Sequence, residues 1–488
     1  MSTLNELTAG PGSEPGTPSR RLTGKLSTFD IVFTVLAFNA PLSVFVGFIP
    51  VIIGSGNQLG APTAYLAAGA LILIFAVGFT TMGRHLPNPG AFYAYITAGL
   101  GKPLGLGASF LAVVSYFFIL VGGYAFGGIS LEALVTDVLG GPEFPWWAYT
   151  LLLMAIVGTL GYFKITLSAK ILTISMIFEV ILMVAFDIAA FINGGPEGIT
   201  TAPFEPANII SGNIGLALLF GIVCYAGFEA TAVFREEARN PEKTVPRATY
   251  IAIISMGSIY ALTAWAQIIA IGPGTVVAAS ATDPTGTVLT VVAQLLGKIV
   301  MDVMIVLLCT SIFAANLATH NISARYLYSL SVDRVFPAAL SRVHSRHDSP
   351  HVASLATSVI AVIFLAVVVI AGAPGATLYA VLVGIGGYAL ILLLILTSAA
   401  VVVYFHKRPE LKVNRWKSQV APVAATLGLI VAGVLATQNI AVMIGGDEAL
   451  ATFLIALFYG CLVLGIILAL IFRRTKPDTY ARIGRQEI

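Results

Sequence analysis

Residues 30–54 read DIVFTVLAFNAPLSVFVGFIPVIIG, an apolar run with the helix-breaking triplet Asn39-Ala40-Pro41 near its middle. A membrane-spanning helix needs about 20 apolar residues, so this run is long enough to cross a bilayer and too long for one straight span. Proline has no N–H and disfavours helix at the residue before it. We therefore predict two half-helices, with a break near residues 39–43.

A second apolar run is interrupted in a similar way. Residues 213–243 read NIGLALLFGIVCYAGFEATAVFREEARNPEK, in which Gly221 and Gly227 bracket Cys224-Tyr225-Ala226 and Glu229 follows. Glycine and proline are frequent in membrane helices, so either interruption alone could be a simple kink. Interruptions at corresponding positions in two halves of a chain instead favour a binding site at the membrane midplane.

The composition of the whole chain is that of a polytopic α-helical membrane protein. Of its 488 residues, 58% are hydrophobic and 10% are charged, whereas about 25% of the residues of a soluble domain are charged. The apolar residues form blocks of membrane-spanning length. We predict twelve transmembrane segments, at about residues 28–54, 62–83, 104–131, 147–163, 169–193, 212–235, 246–272, 298–329, 350–371, 376–405, 418–439 and 450–472.

The charges of the connecting loops give the predicted orientation. With the N-terminus inside, every one of the 26 Lys and Arg residues except Lys298 falls on the cytoplasmic side. The external loops carry acidic residues instead, which is the positive-inside pattern. We therefore predict a cytoplasmic (inner) membrane protein with both termini in the cytoplasm. The charged loop 236–247 is either a cytoplasmic gate or an anchor of this kind.

The spacing of the interrupted segments predicts the domain organisation. Segments one and six are five spans apart, and because five is odd the second group of five enters the membrane from the opposite side. We predict a disordered cytoplasmic tail at 1–25, two inverted repeats at 26–195 and 196–410, helices eleven and twelve at 411–473, and a cytoplasmic tail at 474–488.

No motif for an enzyme, a metal or a cofactor is found in the sequence. Cys224, Cys309 and Cys461 lie inside apolar segments, and no zinc, nucleotide or catalytic-triad pattern is present. We predict a transporter without a cofactor, whose partners are a small-molecule substrate and membrane lipid and not nucleic acid. The sequence does not determine the oligomeric state.

Two longer motifs resemble those of a known family. The stretch 227–248, GFEATAVFREEARNPEKTVPRA, is similar to the sixth-helix signature of the amino acid–polyamine–organocation permeases. A second stretch, from Ala315-Asn316 through Asp333-Arg334-Val335-Phe336-Pro337, resembles the eighth helix and following loop of the same family. The resemblance implies a LeuT-type fold with helices one and six broken, and a substrate that is an amino acid, a polyamine or a related amine, often coupled to protons.

Two departures from the family pattern concern the substrate. Pro41-Leu42-Ser43 stands where the family has a Gly-Ser-Gly-like triplet whose amides hold a carboxylate, so only Leu42, Ser43 and Val44 can offer theirs. Glu179 stands where many proton-coupled members carry a lysine. The predicted substrate-binding residues are Asn39, Ala40, Pro41, Leu42, Ser43, Val44, Tyr124, Val223, Cys224, Tyr225, Ala226 and Gly227.

Three carboxylates in apolar segments are candidates for proton binding. A carboxylate in hydrocarbon is protonated, paired or functional. We predict Glu229 and Glu179 as the proton-coupling residues, although both could be purely structural. Asp187 either takes part or only lines an external vestibule, and Tyr124 and His320 are interpreted mainly as packing residues.

These features predict a secondary active transporter that works by alternating access, with proton coupling. Two alternatives remain open at this point. One is a carrier specific for polyamines or other amines, which the proline and the acidic residue in helix five favour. The other is a membrane sensor that has the same fold but does not transport.

Overall fold

The computed structural model describes residues 26–86, 92–163, 169–233, 238–347, 349–373 and 375–484. The predicted N-terminal tail, the first part of the charged loop 236–247 and residues 485–488 of the predicted C-terminal tail lie outside these ranges. Within the described residues the chain is all-helical, apart from a single bridge between Leu26 and Ala238.

Eighteen helices are labelled here in chain order. They are α1 (Thr28–Asn39), α2 (Pro41–Ser55), α3 (Ala61–Gly83), α4 (Phe92–Leu100), α5 (Lys102–Val138), α6 (Trp146–Tyr162), α7 (Ala169–Asn193), α8 (Ile214–Val223), α9 (Ala230–Val233), α10 (Pro241–Ile271), α11 (Val276–Thr282), α12 (Pro284–Leu296), α13 (Lys298–Val332), α14 (His351–Ile370), α15 (Gly375–His406), α16 (Trp416–Met443), α17 (Glu448–Thr475) and α18 (Pro477–Arg482). Shorter helical turns lie in the connections.

Nine of the described helices are long and apolar enough to span a membrane, and α1 with α2 gives a tenth span bent by 41°. The predicted fourth segment corresponds to α6, which has 17 residues, and the first half of the sixth corresponds to α8, which has 10. The all-helical polytopic architecture is therefore confirmed. The number twelve stays a prediction, because two of the segments are shorter than a full span.

The first segment is broken at Ala40, within the predicted interval. Helix α1 begins with a reciprocal capping box between Ser27 and Asp30 and ends at Asn39. Ala40 then adopts φ 54° and ψ 70°, a left-handed conformation that residues other than glycine seldom adopt. Pro41 is the first residue of α2, the position where its missing N–H costs nothing. The proline thus marks the start of the second half-helix.

The sixth segment is broken over residues 224–229, between α8 and α9. Gly227 has φ 107°, which a residue with a side chain would adopt only under strain. The glycine therefore permits the turn that separates the two half-helices, as the sequence predicted.

The remaining helices pack around these breaks in pairs. Helix α3 lies along α10, α5 along both α13 and α15, and α6 along α14. Small residues permit the closest approach, as in many membrane bundles. At the contact of α5 with α15, the Ser115 hydroxyl donates to the carbonyl of Gly386 at 2.8 Å. Buried helices α5 and α15 form the centre of the bundle, and α14 and α17 expose large apolar side chains at its periphery.

The connection before α13 forms two helices, α11 and α12. Asp283 caps α12 by accepting from the N–H of Gly286 at 3.0 Å. Gly54, near the end of α2, packs directly against the backbone of Ser280 and Ala281 on α11. This connection is therefore helical, and α11 contacts the half-helix that follows the first break.

Residues 477–484 dock against the same end of the molecule as α4, a helix that the sequence analysis missed. Ile483 is buried in an apolar cluster with Tyr93, Leu106, Leu330 and Ala469. Lys102 Nζ donates to the carbonyls of Tyr480 and Ala481 at 3.0 and 2.7 Å. The hydroxyl of Tyr93 donates to Asp333 Oδ2 at 3.3 Å and accepts from the N–H of Gly484. This segment, which we call the docked tail, covers a buried carboxyl group.

Docking of this tail is expected to depend on pH through Asp333. Burial raises the pKa of Asp333 from 3.8 to about 6, against the opposing effects of the Tyr93 hydrogen bond and the charges of Arg482 and Lys102. Release of the tail exposes the carboxyl and returns its pKa toward 3.8. The docked state therefore binds the proton more tightly, and docking weakens as pH rises from about 4 to about 6.

Acidification from pH 7 to pH 5 is expected to strengthen docking about tenfold, because each pH unit between the two pKa values changes the equilibrium tenfold. Double electron–electron resonance between nitroxides at residues 412 and 478, in a background without native cysteines, measures the docked fraction. Asp333→Asn is the matched control and should dock equally at both pH values. If the docked fraction of the parent protein is the same at pH 7 and pH 5, Asp333 does not control docking of the tail.

Candidate functional site

The two helix breaks lie against each other and are joined by Asn39, the last residue of α1. Its Nδ2 donates hydrogen bonds to the carbonyl oxygens of Cys224 and Ala226, at 2.7 and 3.0 Å. Both carbonyls belong to the unwound stretch between α8 and α9. Asn39 Oδ1 accepts from the hydroxyl of Tyr260 on α10. One side chain therefore ties both breaks to a third helix.

Tyr225, in the second break, extends in a different direction, between α3 and α10. Its hydroxyl donates to the carbonyl of Tyr65 at 2.8 Å, and its ring is fully buried. Glycines at both sides leave room for this hydroxyl: a Cβ at Gly69 or Gly257 would lie 2.4 or 2.6 Å from the phenolic oxygen. The second break is thereby anchored between two membrane-spanning helices.

The backbone amides that follow Pro41 all have acceptors within the protein. The N–H of Leu42 donates to Glu179 Oε2 at 3.4 Å, and the N–H of Ser43 donates to the carbonyl of Ala40 at 2.9 Å. The N–H of Val44 donates to the carbonyl of Pro41. The sequence alone predicts that these three amides are available to a substrate carboxylate. In this conformation one is bound to a protein carboxylate and the others to backbone oxygens.

Glu179, on α7, is held against the first break by hydroxyl and amide donors. Ser311 on α13 donates to Oε2 at 3.0 Å, and Ser175 donates to Oε1 at 3.4 Å. The side chain is 2% exposed, and within the described part of the chain it forms no ion pair. A carboxylate next to the positive end of a half-helix is favourably placed electrostatically. Glu179 thus links α7 and α13 to the start of α2.

Glu229 binds a backbone N–H of the second break, as Glu179 does at the first break. Its Oε2 accepts from the N–H of Gly227 at 2.8 Å, and its Oε1 accepts from the hydroxyl of Tyr116 on α5 at 3.2 Å. The Tyr116 ring stacks on that of Tyr326, with ring centroids 5.6 Å apart. Each break therefore has one backbone N–H bound by a glutamate, and both glutamates are also bound by hydroxyl groups of neighbouring helices.

Solvent reaches the breaks more easily from the side of α1 and α9 than from that of α2 and α8. Asn39, Ala226 and Glu229 are partly exposed. Leu42 and Phe45, on the other side, are fully buried, and the last residues of α8 are also buried. The conformation is therefore closed on the side where α11 and α12 lie.

Tyr124 is placed away from the breaks, although it was among the predicted substrate-binding residues. Its hydroxyl hydrogen-bonds with His320 Nδ1 at 3.2 Å, and His320 Nε2 hydrogen-bonds with Ser354 Oγ at 2.9 Å. This chain of contacts joins α5, α13 and α14. It matches the packing interpretation of both residues, which the sequence analysis had preferred.

Several polar residues at the site had no distinguishing sequence signal. The partners of the two glutamates and of Asn39 come from α5, α10 and α13, far away in the chain. Serine and tyrosine are common in apolar helices. The residue type alone therefore does not reveal the role of Ser311, Tyr116 or Tyr260. Only the fold brings these side chains to the breaks.

Comparison with known proteins shows the family. A model of the family described as "Amino acid permease" matches residues 26–467, which is nearly the whole described chain. The chain belongs to this family. This permease is 23% identical over 345 residues to the low-affinity putrescine importer PlaP of Escherichia coli, covering 69% of this chain and 73% of that protein.

Two further relatives of the permease are named after other substrates. The gamma-aminobutyric acid permease of Escherichia coli is 26% identical over 403 residues, covering 79% of this chain and 81% of the relative. The lysine-specific permease LysP of Lactococcus lactis is 24% identical over 333 residues, covering 64% and 63%. These matches confirm that the chain is a transporter and not an enzyme, in a multi-pass inner membrane protein family consistent with the predicted LeuT-type fold.

Proposed function

We propose that this permease moves an amino acid or a related amine across the cytoplasmic membrane by alternating access, with the substrate bound between residues 39–44 and 223–227. The observation that carries the proposal is the pair of breaks joined by Asn39. Unwound backbone inside a membrane protein is tolerated where it is buried or lines a cavity, and paired breaks are typical of midplane transport sites.

Proton coupling is proposed to act through Glu179 and Glu229. A charged carboxylate accepts a hydrogen bond from a backbone N–H more strongly than a neutral carboxyl does, by about 1–2 kcal/mol. Protonation of either residue therefore weakens its contact with Leu42 or Gly227 and frees the break to move. The proton would thus bind where it changes the geometry of the substrate site.

The occupied amides of the first break favour the amine alternative over an α-amino acid. A substrate carboxylate at α2 would compete with Glu179 for the N–H of Leu42 and lie next to a second negative charge. A cationic amine would instead be attracted to Glu179. The stacked rings of Tyr116 and Tyr326 offer an additional aromatic surface for a cation.

The proposed arrangement in the membrane follows from the repeats at 26–195 and 196–410, with 411–473 outside them and both termini cytoplasmic. Helices that the repeat relates to each other are in contact: α3 with α10, α5 with α13, and α6 with α14. Equivalent helices of two intertwined repeats are expected to touch where they lie close to the symmetry axis that relates the repeats. The one-sided basic loops support the orientation.

Uptake into proteoliposomes tests the proposal. With an acidic exterior, radiolabelled putrescine, gamma-aminobutyric acid and lysine are compared as substrates. Accumulation is expected to fall about 10- to 100-fold in Glu179→Gln and in Glu229→Gln, since each loses one charge-assisted hydrogen bond. Glu205→Gln, an exposed carboxylate outside the bundle, is the matched control and should accumulate normally.

Three outcomes would contradict parts of the proposal. Ligand-induced thermal stabilisation without any flux would indicate a sensor. Full gradient-driven accumulation in both glutamine variants would exclude their role in coupling. Preference for substrates with an α-carboxylate over amines that lack one would exclude the amine alternative.

A further inference from the structure

Asp187 is a second buried carboxylate on α7, and only one of its oxygens is bound. Thr263 on α10 donates to Oδ2 at 3.0 Å. Oδ1 is buried and has no hydrogen-bond partner among the described residues. The residue is 2% exposed, so it does not line an open external vestibule, which was one of its two sequence-based interpretations. Glu179 and Asp187 are eight positions apart on the same buried face, about 12 Å along the helix.

Gln267 presents a second unsatisfied oxygen on the neighbouring helix. It lies one turn after Thr263 on α10 and is fully buried. Its Nε2 donates to the carbonyl of Phe45 at 2.8 Å, which fixes the orientation of the amide. Its Oε1 has no partner among the described residues. Phe45 lies on α2 and its ring also contacts Phe186, next to Asp187, with centroids 5.0 Å apart.

Two buried acceptors without a donor are costly, because each loses its hydration and gains no hydrogen bond in return. We propose that Asp187 and Gln267 form a proton-binding site, in which a proton on Asp187 Oδ1 is donated to Gln267 Oε1. One proton satisfies both oxygens and removes the buried charge. This inference rests on the proposed transport function and adds a site outside the two breaks.

Among the described residues, Asp187 forms no ion pair. Titratable side chains on its own helix and on the helix that it contacts include Glu179 on α7 and Tyr260 on α10. Toward the outer end, Asp302 on α13 is already paired with Lys298 at 2.7 Å. A bridging water would satisfy the two oxygens and leave the charge in place. Among the described residues there is no group of three or more His, Cys, Asp or Glu side chains that could hold a metal ion.

Protonation at this site is coupled to the position of α2 through Gln267. In the proposed site, deprotonation of Asp187 leaves two acceptor oxygens, Asp187 Oδ1 and Gln267 Oε1, with no proton between them, and they repel each other. Rotation of the amide to offer Nε2 to the carboxylate then breaks its hydrogen bond to the carbonyl of Phe45. Loss of the proton therefore releases the half-helix that follows the first break. Asp187 acts as a positioning residue for the break and not as a contact of the substrate.

The transport test compares uptake with and without a pH gradient in the same variant, at zero membrane potential and without sodium. For each proton carried per substrate, a gradient of one pH unit should raise accumulation in the parent protein about tenfold. In Asp187→Asn this ratio should fall about tenfold below that of the parent, because the asparagine amide replaces the protonated acid permanently and one proton is no longer carried. Asp302→Asn, the ion-paired control, should keep the parent ratio.

Infrared spectroscopy of the purified full chain tests the proton independently of transport. The parent protein should show a carboxylic-acid C=O band that Asp187→Asn lacks and that Gln267→Leu shifts. If Asp187→Asn loses only an ionised-carboxylate band, Asp187 is charged in the parent protein and the proposed proton-binding site is wrong. An unchanged gradient ratio in that variant, or accumulation that responds only to a sodium gradient, would also overturn the site. Absence of any uptake by the parent protein, with the infrared result as expected, would instead overturn the proposed function alone.

Discussion

Asn39→Ala is expected to reduce substrate uptake at least about 100-fold. The substitution removes the only described side chain that joins the two breaks, and it leaves two carbonyls and the Tyr260 hydroxyl without their partner. Each unsatisfied buried group costs about 1–3 kcal/mol, and about 1.4 kcal/mol corresponds to a tenfold change in an equilibrium. The measurement is initial uptake into proteoliposomes at saturating and subsaturating substrate.

Two controls distinguish the loss of this link from a general loss of stability. Tyr260→Phe removes one of the three hydrogen bonds and should reduce uptake only about tenfold. Asn57→Ala removes another buried asparagine, whose Nδ2 makes a single 3.4 Å hydrogen bond to the carbonyl of Ile209, and should change uptake only a few-fold. Uptake by Asn39→Ala as high as that of Asn57→Ala, at equal thermal stability, would show that the link is dispensable.

Gly257→Ala is expected to reduce uptake about 10- to 100-fold. The new methyl group would lie 2.6 Å from the hydroxyl oxygen of Tyr225, which is held by its hydrogen bond to the carbonyl of Tyr65. Overpacking of a dense interior costs about 1–3 kcal/mol. The collision must move Tyr225 and, with it, the second break. Uptake and thermal unfolding are measured together, so that a folding defect is recognised.

Removal of the colliding atom provides a rescue. Tyr225→Phe lacks the hydroxyl, so uptake by the double variant Gly257→Ala/Tyr225→Phe should exceed that of Gly257→Ala alone, although Tyr225→Phe itself lowers uptake. Gly460→Ala on α17 is the matched control, because a Cβ at this position has no neighbour within 4 Å. A double variant that is no better than Gly257→Ala alone would mean that the methyl group acts elsewhere.

The positions of the breaks could be predicted from the sequence because they depend on local backbone chemistry. Pro41 lacks an N–H and restricts Ala40, and Gly227 permits a positive φ within an apolar run. These features need no knowledge of which helices are neighbours.

The contacts of the site could not be predicted, because they join residues far apart in the chain. Glu179 binds an amide 137 positions earlier, and Glu229 binds the hydroxyl of Tyr116, 113 positions earlier. The sequence identified both carboxylates as unusual but gave no partner for either. It also could not show that Asp187 and Gln267 each keep one oxygen unbound, since this depends on how α7, α10 and α2 are arranged.

The packing of α4 and of the docked tail was missed because neither has a strong local signal. Helix α4 is short, and its mixture of tyrosine, alanine and glycine is compatible with a loop. The tail is polar on average, and only Ile483 and Tyr480 contribute apolar contacts. Both segments are structured because they pack against a surface formed by other parts of the chain. The sequence alone does not reveal that surface.

The docked tail also has a consequence for the order of synthesis. Lys102 Nζ donates a hydrogen bond to the carbonyl of Ala481. This residue is synthesised 379 positions later, after every membrane-spanning helix. Until then the apolar surface around Tyr93 and Leu330 and the carboxyl of Asp333 remain uncovered. Chains emerge from the ribosome at about 5–20 residues per second, so the interval between the synthesis of Leu330 and that of Ala481 is about 8–30 seconds. A nascent or shortened chain therefore displays an apolar patch that the finished protein covers.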